Sequence, residues 1–134
     1  MKRFAAAILT LCLLLPTCAL AETGFSSDPD AIERAAKSVL MLEVYDADNE
    51  LLATGSGFVA FDNRTLVTNY HVIEDADWMV ANSDDGYEYM VTKVLVADEV
   101  KDIAICGFMS PTDLTPLTFS DGEALRRAEP IVAI

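Results

Sequence analysis

From Val39 onward, apolar residues recur at every second position. Leu40, Leu42 and Val44 alternate with Val39, Met41, Glu43 and Tyr45, the period of a strand with one buried face. Comparable short runs follow at Leu51–Phe61, Thr65–Asn69, Trp78–Ala81, Tyr87–Val96, Ile103–Phe108 and Ile131–Ile134. Turn-forming clusters separate several of them, at Asp46-Ala47-Asp48-Asn49, Asp62-Asn63-Arg64 and Ser83-Asp84-Asp85-Gly86. Six or seven short strands punctuated this way predict an all-β fold, either a barrel or a sandwich. Gly55 and Gly57, inside the second run, mark a bulge or the close approach of another segment. Helix is confined to short pieces. Residues 29–37 follow an N-cap at Asp28 with proline at the first helical position. Val72–Asp77 reads as one turn, and Asp121–Arg127 as one or two. Ser110–Ser120, with Pro111 and Pro116, reads as loop.

The N-terminus has a different character. Met1-Lys2-Arg3 is a positive start, Phe4–Leu15 is an apolar run broken only by Thr10, and Ala19-Leu20-Ala21 offers small residues at a cleavage site. These are the parts of a secretory signal peptide cleaved after Ala21, which places the mature protein in a secreted or periplasmic location. A helix of a dozen residues spans about 18 Å against a hydrocarbon core of roughly 30 Å, too short for an anchor. No membrane association is expected after cleavage. Lipidation at Cys18 is the minor alternative, with Thr17 departing from the small residue such sites carry.

The chain has 9 Lys+Arg against 22 Asp+Glu, a net charge of −13, and Lys2 and Arg3 belong to the leader. A body this acidic excludes nucleic acid as a partner, because phosphate binding depends on cations that displace counterions. The acids cluster in turns and on polar strand faces, as a solvated surface does. There is one His, and two of the three Cys (Cys12 and Cys18) lie in the leader. That set cannot build a structural zinc site or a disulfide framework. Asp46 to Glu50 lacks the glycine and distal Glu of a calcium loop, so no metal site is expected there.

The single histidine, His71, sits in Thr68-Asn69-Tyr70-His71-Val72, directly after a β-rich run. A lone histidine at a strand end is more often structural than catalytic. Two other segments change that reading: Gly55-Ser56-Gly57-Phe58-Val59 upstream, and Asp102-Ile103-Ala104-Ile105 about thirty residues downstream. In this order and spacing the three resemble the trypsin-like serine proteases of the HtrA/Deg type, over residues 38–134.

The resemblance implies a chymotrypsin-like two-barrel fold, of which this chain would be the N-terminal six-stranded antiparallel barrel with the second barrel missing. It implies His71 as general base and Asp102 as the carboxylate that fixes the imidazole tautomer and stabilises the imidazolium. Asp98 and Asp75 are nearby alternatives, and Asp102 is preferred because it alone opens an apolar strand. Ser56 precedes the histidine and is not the nucleophile on this pattern.

In the family the nucleophile follows His and Asp, in a Gly-Asn-Ser-Gly-Gly-Pro segment that also builds the oxyanion hole. No serine after the leader lies in a Gly-x-Ser-Gly setting, and the Gly-x-Ser-x-Gly elbow is absent too. Arg126-Arg127-Ala128 stands where the family commonly has glycine, and Glu129–Ile134 resembles a strand that the family pattern continues. The expectation is therefore a fragment of a secreted or periplasmic serine endopeptidase, with a polypeptide substrate, no cofactor and no activity as given. Residues 1–21 would be the signal peptide, 22–37 an N-terminal segment with a short helix, and 38–134 the incomplete protease domain. His71 and Asp102 should border an exposed apolar face. The competing readings are a non-catalytic trypsin-like domain that binds unfolded or extended polypeptides, and a small acidic β-barrel binding module.

Overall fold

The computed structural model describes residues 28–123 and 126–134. The expected signal peptide, Cys12, Cys18 and the start of the N-terminal segment lie outside the described residues. The first element, α1 (Pro29–Ala36), begins as expected: Asp28 is extended at the N-cap, and its side chain accepts from the Asp30 N–H at 3.1 Å.

Six strands follow: β1 (Val39–Tyr45), β2 (Leu51–Val59), β3 (Thr65–Thr68), β4 (Trp78–Asn82), β5 (Glu88–Asp98) and β6 (Ile103–Phe108). They close into one barrel in the order β1-β2-β3-β6-β5-β4, with every neighbouring pair antiparallel. The seam is β1 against β4, running from Met41 opposite Asn82 to Tyr45 opposite Trp78. Closure removes the exposed edges that a sandwich would keep. The alternation read in β1 decides its facing: Leu40, Leu42 and Val44 are buried to 1% exposure or less. Val59, Leu66, Met79, Ala81, Val91, Ala104, Cys106 and Phe108 complete the interior from the other five strands.

Neither Gly55 nor Gly57 is a bulge; both sit in unbroken register, opposite Leu42 and Leu40. They answer to close approach instead. A Cβ on Gly55 would lie 2.7 Å from Val72 Cγ1, and one on Gly57 would lie 2.9 Å from both Leu66 Cδ1 and the Val67 carbonyl oxygen. Val72 belongs to α2 (Tyr70–Ile73), so Gly55 is what lets this short helix seat on the barrel wall.

Several boundaries depart from the sequence reading. Strand β2 stops at Val59, because Phe61 adopts φ +68°, outside the strand region. Helix α2 starts at Tyr70 and not at Val72, so His71 lies within it and not at a strand end. Strand β5 runs to Asp98, with register shifts between Val91 and Lys93 and between Val94 and Val96. The described part of the 121–127 stretch holds only bends and turns, with no helix. Residues 131–134 form no strand either, since a barrel closed on itself offers no free edge to pair with.

Candidate active site

The turn between β5 and β6 is tied internally before it reaches the site. Asp98 accepts from the Lys101 N–H at 3.0 Å and pairs with Lys101 Nζ at 2.9 Å, while the Asp102 N–H donates to the Glu99 carbonyl at 3.2 Å. Asp102 then adopts φ +53°, the left-handed region. For an L-residue this costs roughly 1–2 kcal/mol, and aspartate is among the few side chains that tolerate it. Its carboxylate meets α2.

His71 lies in the only turn of α2, and its backbone N–H donates to Asp102 Oδ1 at 2.9 Å. Its ring Nδ1 is 2.8 Å from Oδ2 and 2.9 Å from Oδ1 of the same carboxylate. An ionised carboxylate only accepts, so this contact places a hydrogen on Nδ1, and in the neutral imidazole the lone pair is then on Nε2. The His71 backbone N–H is the largest cause holding the Asp102 carboxyl below its ordinary range; partial burial opposes it, and the His71 ring and the Asn69 amide add to it. The histidine side chain is 66% exposed and the aspartate 42%, so the pair sits at the surface.

Residues around the pair explain the motif spacing. Thr68 Oγ1 donates to the Ser56 carbonyl at 2.8 Å, clipping β3 to the glycine-punctuated strand. Val72 fills the space that Gly55 leaves. The His71–Asp102 distance falls inside the hydrogen-bond range expected of a base and its orienting acid. Neither alternative acid joins it: Asp98 is engaged by Lys101, and no described hydrogen bond or ion pair links Asp75 to His71. No described hydrogen bond links the Ser56 hydroxyl to His71.

One site residue escaped sequence reasoning. Asn69 Nδ2 donates to the Asp102 backbone carbonyl at 3.0 Å and to its Oδ2 at 3.2 Å. An asparagine before a short helix reads as a cap, and nothing in one sequence redirects it to a carboxylate over thirty residues away.

Large apolar residues are exposed on the hairpin that delivers Asp102. Val94, Leu95, Val96, Val100 and Ile103 are exposed there, Val100 by 96%. A cleft of about 620 Å³ between α1, Asp84–Tyr89 and Asp113–Thr118 does not reach His71 or Asp102. Among the described residues no three His, Cys, Asp or Glu side chains cluster to hold a metal ion.

Comparison with known proteins points to one family. The sequence pattern of a trypsin-like peptidase domain matches residues 55–134. The anti-sigma-I factor RsgI9 of Acetivibrio thermocellus is 31% identical over 103 residues, 77% of this chain and 14% of that protein. A probable periplasmic serine protease, do/HhoA-like, of Haemophilus influenzae is 37% identical over 81 residues, 60% of this chain and 17% of that one. Among solved structures, an HtrA-type protease with a tripeptide superposes at TM-score 0.62 and 26% identity, over 73% of this chain and 31% of that chain. The chain thus spans less than a third of each protein it is compared with.

Proposed function

This chain belongs to the trypsin-like peptidase family, and we propose that it is the His–Asp-bearing barrel of a serine endopeptidase that hydrolyses polypeptides outside the cytoplasm. The observation that supports this most is the 2.8 Å contact of His71 Nδ1 with Asp102 Oδ2, formed by two residues placed apart in the sequence. In this reading His71 Nε2 takes the proton of a serine hydroxyl as it attacks the scissile carbonyl. Asp102 holds the ring in the required tautomer and stabilises the imidazolium, which then protonates the leaving amine. On this reading the serine and its oxyanion hole would come from outside these 134 residues, since no serine here stands in a Gly-x-Ser-Gly setting. The exposed apolar face of the β5–β6 hairpin would pack against the barrel that supplies them. The leader, together with a relative named as periplasmic, supports the location.

A second reading has its own observation. One relative, of which this chain covers 14%, is named as an anti-sigma factor and not as a protease, which keeps the non-catalytic trypsin-like domain as the second reading. One experiment separates the two. The product of the complete gene is treated with a fluorophosphonate serine label and assayed for casein cleavage, beside the same product carrying His71→Ala. The protease reading expects labelling and cleavage, both lost in the variant, and neither from the 134-residue chain alone. Casein binding with no labelling and no cleavage overturns it in favour of the second reading. Cleavage by the 134-residue chain, abolished by His71→Ala, overturns the placement of the nucleophile elsewhere.

A further inference from the structure

Asp102 combines two properties that pull against each other. Its carboxylate must be held at one orientation against the His71 ring, yet its backbone is left-handed and its side chain partly open to water. The turn itself holds only one end of the residue, through the Asp102 N–H on the Glu99 carbonyl. The other end is held from a different element. Both hydrogens of the Asn69 amide are spent on this one residue, at its backbone oxygen (3.0 Å) and its Oδ2 (3.2 Å). Tying a main-chain oxygen and a carboxylate oxygen of the same residue to a single nitrogen restricts its ψ and its side-chain torsions together. The opposite amide orientation would set Oδ1 against two acceptors, so the donor assignment follows from the partners.

Asn69 also forgoes its local role. It occupies the N-cap of α2 with extended backbone (φ −80°, ψ 148°), and its side chain makes no capping hydrogen bond. A residue type favoured at that position for its accepting oxygen is here used for its donors. We propose that Asn69 is a positioning residue, which holds Asp102 in its left-handed conformation so that the carboxylate engages the His71 ring. This inference rests on the roles given to His71 and Asp102 above, and it adds the part that keeps them in register.

His71 is the only histidine, so its ring signals in a nitrogen-15 spectrum of the full chain are unambiguous. The variants Asn69→Thr and Asn69→Ser keep a good N-cap residue, remove the amide donors and add no charge beside Asp102. Both are expected to lower the ratio of Nδ1–H to Nε2–H tautomer by roughly fivefold, what losing one ordinary hydrogen bond is worth. The Asp102 carboxyl should at the same time titrate closer to the ordinary aspartate range. A residue that served only to cap α2 would leave both readings where they are, and that result overturns the proposal. The wild-type chain supplies a measurement independent of either variant folding. The Asn69 side-chain amide signals should shift as Asp102 titrates, and signals that stay fixed overturn the proposal equally. None of these readouts uses peptide hydrolysis. A failure here therefore leaves the protease reading standing, and a failure of serine labelling leaves this geometry standing.

Discussion

Nδ1 of His71 lies 2.8 Å from Oδ2 of Asp102, joining the single turn of α2 to the tip of the β5–β6 hairpin. The backbone N–H of the same histidine holds the other carboxylate oxygen at 2.9 Å. One carboxylate thus fixes the position of the helix and the direction of the ring together. Consequences for chemistry, stability and reactivity follow from the neighbours of this contact.

Under the proposed protease reading, Asp102→Asn should lower kcat by roughly 10⁴-fold while leaving the fold intact. The amide that replaces the carboxylate can donate to Nδ1, which favours the tautomer with its hydrogen on Nε2 and removes the base. Peptide hydrolysis rates, with a thermal midpoint measured in parallel, check this. A small loss of rate would mean that another acid orients His71.

The same carboxyl links stability to pH. Its folded-state pKa is lowered, with the His71 backbone N–H as the largest cause. The stabilisation is therefore fully present above the unfolded value near 3.9, and it is lost as pH falls through the lower folded value. Urea midpoints of the wild type and Asp102→Asn should differ most above about pH 5 and converge as the pH falls below about 4. A difference that does not vary with pH would show that the pairing contributes no linked stability.

Gly55→Ala should destabilise the barrel by about 1–3 kcal/mol, the usual cost of overpacking. The added methyl meets Val72 Cγ1 at 2.7 Å and Cγ2 at 2.8 Å, and it pushes on the helix that carries His71. Val72→Ala in the same chain should recover part of the loss by vacating that space. Denaturant midpoints of the two single variants and the double variant test the coupling.

Cys106 lies in the core on β6, where burial pushes its thiol up to about 11. Almost none of it is thiolate at pH 8, and no reagent reaches it in the folded chain. Iodoacetamide at pH 8 should leave the Cys106 peptide unmodified in native buffer and label it in urea, as read by mass spectrometry. Labelling in native buffer would mean that the barrel opens at that strand.

Legibility in the sequence differed from one element to the next. Strands β1 and β6 could be read almost to the residue, because Val39–Tyr45 and Ile103–Phe108 are short runs with clear turn signals beside them. Helix α2 starts two residues before the turn expected at Val72 and ends at Ile73, short of Asp77, because its start depends on Asn69 and Tyr70, whose side chains carry no apolar period. Residues 131–134 have the composition of a strand but no partner in the closed barrel. Pairing is a property of neighbours and cannot be read from a run alone.

The sequence by itself determined the class of fold, the inward set of residues on β1, and the three segments from which His71 and Asp102 could be picked out. Periodicity and motif spacing are local properties, and a single chain displays them. Alternation is the same in a barrel and a sandwich, so the barrel was implied by the motif resemblance and not by the periodicity, and the strand order with its β1–β4 seam came only from the tertiary structure. It also decided that Gly55 and Gly57 serve close packing, that Asp102 turns left-handed, and that Asn69 reaches across to hold it. Each of those depends on which segments meet in space, and contacts between separate segments leave no periodic trace in the chain that makes them.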